Sequence, residues 1–323
     1  MSISMVRWAW GSALILVTTL AGCSGQQPTA GGFTPAGLGA TRAVRSDRAR
    51  SWMSPDAKKN DLLYVSDENT NDVYVYSYPG LRLEGTLTGF NAPFGECVDA
   101  HGNVFIADDD ASQILEYAHG GTSPIATLND PGFYPRGCSV DPTTGNLAVV
   151  NIVSTSLKQG NIAIYKGAKG TPKYYSDVKV YNVYSCGYDN LGNLFIDGEN
   201  QASSSFAFAE LPKAAKSIKN VRLNQSIAVA GGVQWDGKYV AVGDQGGDIY
   251  QFTVTGKKGT KTGTTILGGV GRNSEFWIQG SNIIVPDSYK RHVAIWDYPA
   301  GGPAERRVKG FSDPIGATVS VAK

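Results

Sequence analysis

Pro93-Phe-Gly-Glu-Cys-Val-Asp99, Gly102-Asn-Val-Phe-Ile-Ala-Asp108 and Gln113-Ile-Leu-Glu-Tyr117 follow one another with only short turns between them. Each alternates apolar with polar or small residues, the period-two signature of a sheet surface. The same set returns as Pro135-Arg-Gly-Cys-Ser-Val-Asp141, Gly145-Asn-Leu-Ala-Val-Val-Asn151 and Asn161-Ile-Ala-Ile-Tyr165. Looser copies follow. Their first strands end near Asp99, Asp141, Asp189, Asp236, Gln279 and Ser320, at steps of 41 to 48 residues. A period of that length built from short strands implies an all-β, six-bladed β-propeller of four-stranded blades. One such blade cannot bury both of its faces, so it requires neighbours packed around an axis.

The order of the repeat also predicts how the ring closes. Leu62-Leu-Tyr-Val-Ser-Asp67 matches a second strand with no first strand before it, whereas Pro314-Ile-Gly-Ala-Thr-Val-Ser320 matches a first strand with nothing after it. The N- and C-terminal strands are therefore expected to share one blade, and loss of the last ten residues to open the ring. The expected division is residues 1–22 as a leader, 23–60 as a lipidated cysteine and flexible tether, and 61–323 as the propeller.

The leader carries its own signal. Arg7 precedes an apolar run from Trp8 to Ala21 that is short for a membrane span, and the run ends in Leu20-Ala-Gly-Cys23. This resembles the lipobox of bacterial lipoprotein signal peptides. The resemblance implies cleavage before Cys23, acylation of that residue, and a lipid-anchored protein of the bacterial cell envelope. Ser24 after the cysteine points to the outer membrane, facing periplasm or surface. Residues 24 to 60 are rich in small and polar types and then basic at Arg42, Arg45, Arg48 and Arg50, as expected of a solvated tether, with Trp52 and Met53 docking on the outside of the ring.

Composition narrows the function classes. Lys and Arg total 29 against 28 Asp and Glu, a net charge of +1, which supplies no general attraction to nucleic acid. Cys97, Cys138 and Cys186 all lie in first strands. Equivalent points on adjacent blades are usually beyond disulfide reach, so a buried packing role is expected for each. The three histidines fall at His101, His119 and His292, in places that do not converge, which disfavours a three-His metal site or a Ser-His-Asp triad. The second strands end in Asp67, Asp108, Asn151, Asp197, Asp244 and Asp287. Side chains of this kind accept backbone N–H bonds in a following turn, so they read as structural. Extra acidity at Asp108-Asp-Asp110 and Asp197-Gly-Glu-Asn200 leaves room for weak calcium binding.

The combination of Pro-x-Gly, Val-Asp, Gly-Asn-hydrophobic and Asp-x-x-x-x-Ile resembles the NHL-repeat propellers. That resemblance implies that the Pro-x-Gly strand is innermost, and that ligands bind on the face where the chain enters it. Carried onto this chain, the expected ligand-binding residues are Glu96, Tyr134, Arg136, Tyr184, Arg272 and Glu275. The related gluconolactonase-like enzymes hold a divalent metal in the channel, but their Gly-Glu-x-Pro-x-Trp strand is unmatched, since Pro93 precedes the Glu of Gly95-Glu-Cys97 and no Trp follows. The expectation is thus a monomeric binding or scaffold module for a protein, peptide or glycan, needing no catalytic residue, metal or cofactor. The alternative is a calcium-dependent hydrolase or lactonase.

Overall fold

The computed structural model describes residues 50–201 and 203–323; the leader, Cys23 and most of the tether lie outside the described residues. The chain forms six antiparallel sheets in the order of the sequence repeats. Blade 2 is the simplest, with Pro93–Val98 innermost, then Val104–Asp108, Gln113–Tyr117 and Pro124–Asn129 outward. Blades 3 to 6 begin on the inner strands Phe133–Val140, Asn182–Tyr188, Ala230–Trp235 and Trp277–Gln279. Blade 1 is composite: Pro314–Ser320 supplies its inner strand against Leu62–Asp67, in register from Leu62 opposite Ser320 to Asp67 opposite Pro314. All seven residues of the closing strand are buried. The expected six-bladed ring and its shared closing blade are both present.

Two blades carry more than four strands. Trp52–Met53 pairs with Thr86 and Gly85 as a fifth, outermost strand of blade 1, so regular structure begins ahead of residue 61. Blade 5 is strapped on its outer edge by Arg222–Leu223 from the blade 4 side and by Gly302–Pro303 from the blade 6 side, both in parallel pairing.

The core is divided into six clusters, one in each space between neighbouring blades. Alternation makes this possible. In the blade 1 strand, Leu62 and Tyr64 point toward blade 2 while Leu63 and Val65 point toward blade 6. Every residue of that strand is therefore buried, and each blade stabilises both of its neighbours.

The glycine of Pro-x-Gly has a steric cause. Inner strands converge on the axis so closely that a Cβ on Gly316 would lie 2.2 Å from the Phe94 carbonyl oxygen, and one on Gly95 would lie 2.5 Å from that of Arg136. Only a residue without a side chain fits there.

The same convergence corrects the reading of the cysteines. Cys97 and Cys138 form a disulfide between the inner strands of blades 2 and 3, with Cα atoms 5.6 Å apart. Counted back from Asp99 and Asp141, Cys97 is two residues away and Cys138 three. That one-residue offset turns the two thiols to opposite faces of their own blades, and hence toward each other. Cys186 shares the offset of Cys138, faces the same way on its own blade, and is free and buried.

The strand-end carboxylates have two structural duties. Asp99, Asp141, Asp189 and Asp236 accept N–H bonds within the first-to-second strand turn, for example from His101 and Asn103 to Asp99 at 2.8 Å. Four of the second-strand set clamp a segment beyond the turn expected. Asp67 accepts from the N–H groups of Ser312 and Asp313 at 2.6 and 2.9 Å, Asp108 from Asn91 at 2.6 Å, Asp244 from Ala228 at 2.8 Å, and Asp287 from Gly271 and Arg272 at 2.6 and 3.1 Å. Each holds the loop that enters the inner strand of its own blade, and two also hold the turn that follows, Asp287 through the Lys290 N–H at 3.0 Å and Asp244 through the Gly246 N–H at 3.5 Å.

Candidate functional site: the central channel

Two of the six positions escape that duty. Asn151 donates its amide to Asp130 and Asn161, both at 2.9 Å. Asp197 is fully buried and accepts from the Gly232 N–H of the next blade at 3.2 Å, while its Oδ1 has no partner among the described residues. Burial raises its pKa to about 7. The departure lies beside the axis, where further carboxylates gather.

Glu96 projects from the inner strand of blade 2 and is 2% exposed. Its Oε1 accepts the Ser66 hydroxyl at 2.6 Å, but Oε2 has no partner among the described residues. Burial lifts its pKa to about 8, with the Ser66 bonds opposing. Glu275 comes from two blades away, at the head of blade 6. Its carboxylate oxygens lie 2.7 and 2.8 Å from where a Cβ on Gly95 would stand, so it reaches across the channel into the space that glycine leaves open. Burial, then the charges of Glu96 and Asp197, push its pKa well above the usual carboxylate range. Three acids thus share the middle of the ring, and no lysine or arginine figures among the charges acting on them.

Below them lies a chamber of about 450 Å³. Tyr188, Trp235, Phe276 and Trp277 line its sides, the Cys97–Cys138 disulfide and Cys186 line its wall, and Glu96 and Glu275 stand at its inner end. It opens where the inner strands finish, on the side of the first-to-second strand turns.

The other mouth, where the chain enters the inner strands, is charged. Arg136 forms an ion pair with Asp109 at 2.8 Å and lies 4.1 Å over the Phe94 ring. Burial raises the Asp109 pKa to about 7 even so, against the pull of Arg136. Glu68 is likewise raised, by burial first, with Arg136 and Arg272 opposing and Asp110 and Asp313 adding to the shift. Tyr184 is pushed up to about 12 by burial and then by Glu199. Arg272 donates to Gln245 at 3.3 Å and faces the Tyr289 ring at 5.5 Å.

The six residues expected to form one ligand face therefore divide. Arg136, Tyr184 and Arg272 stand at the entry mouth, and Tyr134 is half-buried at the start of the blade 3 inner strand. Glu96 and Glu275 lie deeper, at the chamber's inner end. The expected ligand face omitted Glu68 and Asp109, and Asp197 was read as a structural strand end within a loop with room for weak calcium binding. The acidic loop at Asp108–Asp110 is already engaged, Asp108 by Asn91 and Gln113 and Asp109 by Arg136. No group of three or more His, Cys, Asp or Glu side chains is arranged to hold a metal ion among the described residues.

No family model and no curated protein matches the chain. Solved structures do. A chain in the crystal structure of a nidogen/laminin complex matches at 13% identity with a TM-score of 0.66, covering 82% of this chain and all of that one. A functionally unknown protein from Desulfotomaculum acetoxidans DSM 771 matches at 9% identity and a TM-score of 0.60, again over 82% of this chain and all of that one. At these identities the likeness establishes the propeller fold and carries no activity across.

Proposed function

We propose that this protein is a lipid-anchored binding module of the bacterial cell envelope, a monomeric NHL-like ring that presents its central channel to a ligand. The chamber on the axis carries this reading. It combines aromatic walls with buried acids that have unpartnered oxygens, and buried polar atoms left unpaired cost free energy that a structural role does not return. The disulfide between inner strands supports an exported location, because such bonds persist in oxidising compartments. The Leu20-Ala-Gly-Cys23 segment supports attachment through Cys23 to the outer membrane. A protein, peptide or glycan end fits the charged mouth at Arg136 and Arg272.

The test has two arms. Expressed in a diderm bacterium, the protein should partition with detergent and label with palmitate, and Cys23→Ser should lose both properties. Crosslinking in intact cells should capture a partner that Arg136→Glu with Arg272→Glu releases. A soluble, unlabelled protein refutes the anchor, and capture indifferent to both arginines and to the channel acids refutes the module. Calcium-dependent cleavage of lactones or esters would replace it with the hydrolase reading.

A further inference from the structure

We propose that the chamber takes an organic cation: an ammonium group on an apolar or aromatic body, entering past Trp235 and Trp277 and seating against Glu96 and Glu275. The inference rests on the channel being the ligand site and names the chemistry of that ligand. Three observations carry it. The inner end presents Oε2 of Glu96 and Oε2 of Glu275, both buried and without partners among the described residues. No lysine or arginine is among the described residues lining the chamber, so no base there offsets the two acids when they ionise. The path inward is lined by Tyr188, Trp235, Phe276 and Trp277, whose ring faces attract a cation and shelter an apolar body.

An ammonium suits this donor set better than a metal ion. It offers three N–H donors to separate acceptors, whereas a divalent cation requires several oxygens converging on one point. No such convergence of His, Cys, Asp and Glu occurs among the described residues.

Seating a cation favours the ionised carboxylates and therefore expels protons. The groups facing the site are Glu96 and Glu275 with Asp197 beside them, Asp189 and the Tyr188 phenol on the chamber lining, the Cys186 thiol and, behind Glu96, the Tyr64 phenol. None supplies positive charge. Affinity should rise between about pH 6 and about pH 8 as Glu96 ionises.

The experiment is calorimetric titration of the full chain in detergent with phenethylammonium, its neutral isostere phenethyl alcohol, phenylacetate and calcium chloride. A charge-assisted hydrogen bond predicts the amine binding at least about tenfold more tightly than the alcohol. Glu275→Gln and Glu96→Gln should each remove about that factor and flatten the pH dependence, with circular dichroism unchanged. Trp277→Ala should weaken amine and alcohol alike. Equal binding of amine and alcohol, or preferred binding of phenylacetate, overturns the cation and leaves the channel as a ligand site. Calcium binding that the amine cannot displace does the same. If no probe binds, the inference falls; the module reading falls with it only if partner capture in cells is indifferent to the glutamine variants and to the arginine pair alike.

Discussion

Removing the carboxylate of Asp67 should loosen the ring at its seam. Asp67 is fully buried and holds the N–H groups of Ser312 and Asp313 at 2.6 and 2.9 Å, just before the closing strand Pro314–Ser320. Those bonds tie the two ends of the chain together across 245 and 246 residues of sequence. Hydrogen bonds to a charged acceptor contribute about 1.5–3 kcal/mol each, so Asp67→Ala should cost about 3–6 kcal/mol and leave two amides short of partners. At about 2–4 °C per kcal/mol for a domain of this size, the melting temperature should fall by roughly 6–24 °C. Asp67→Asn keeps an acceptor without the charge and should lose about half as much. The control is Asp189→Asn, which weakens turn bonds of the same kind from the Leu191 and Asn193 N–H groups at 2.9 and 2.8 Å, away from the seam. Thermal melts by circular dichroism measure the loss, and limited proteolysis should release the C-terminal strand first in the Asp67→Ala protein. A melting temperature within about 2 °C of wild type, or fraying that begins elsewhere, would refute the latch.

Other outcomes follow from the core and the channel. Cys97 and Cys138 close a loop of 41 residues, so replacing both with serine should cost about 4 kcal/mol through the freer unfolded chain, and reductant should reproduce the loss in wild type; identical melts with and without reductant would show that the bond contributes nothing. Stability should fall as pH rises, because the unfolded chain releases the Glu96 proton near 4.5 whereas the folded chain keeps it to about 8. The folded state binds more protons throughout that window, so this side chain withdraws on the order of 5 kcal/mol across it, and Asp197 acts in the same sense up to about pH 7. Urea melts from about pH 5 to about pH 8 should show the decline in wild type and a shallower one in Glu96→Gln; parallel curves would mean that Glu96 is not held protonated.

Much of this was legible beforehand because it is local or periodic. Alternation in Leu62–Asp67 and the turn chemistry of Gly102-Asn103 or Asp236-Gly237 define strands and hairpins within a few residues. The missing first strand at one end and the surplus one at the other define the seam. What escaped depends on distances between blades. The reach of Cys97 to Cys138 turns on a one-residue offset and on how tightly inner strands converge, and neither is visible in a spacing rule for equivalent positions. Glu96 and Glu275 were both singled out, but as members of a surface face. Their depth follows from the side chain of Glu275 lying in the gap left by Gly95 on another blade.

Asp197 draws the same division within one repeat. Its place at the end of a second strand was plain from the sequence, and four of its five equivalents do serve as clamps or hydrogen-bonded loop anchors for their own blades in the manner of Asp67. Only the assembled ring decides that in blade 4 the carboxylate bonds a neighbouring blade and keeps one oxygen unpaired beside the axis. A 41-to-48-residue repeat determines that the blades form, since each needs apolar cover on both faces. Which side chains meet in the channel is set by closure of six blades around one axis, which brings together residues that are far apart along the chain.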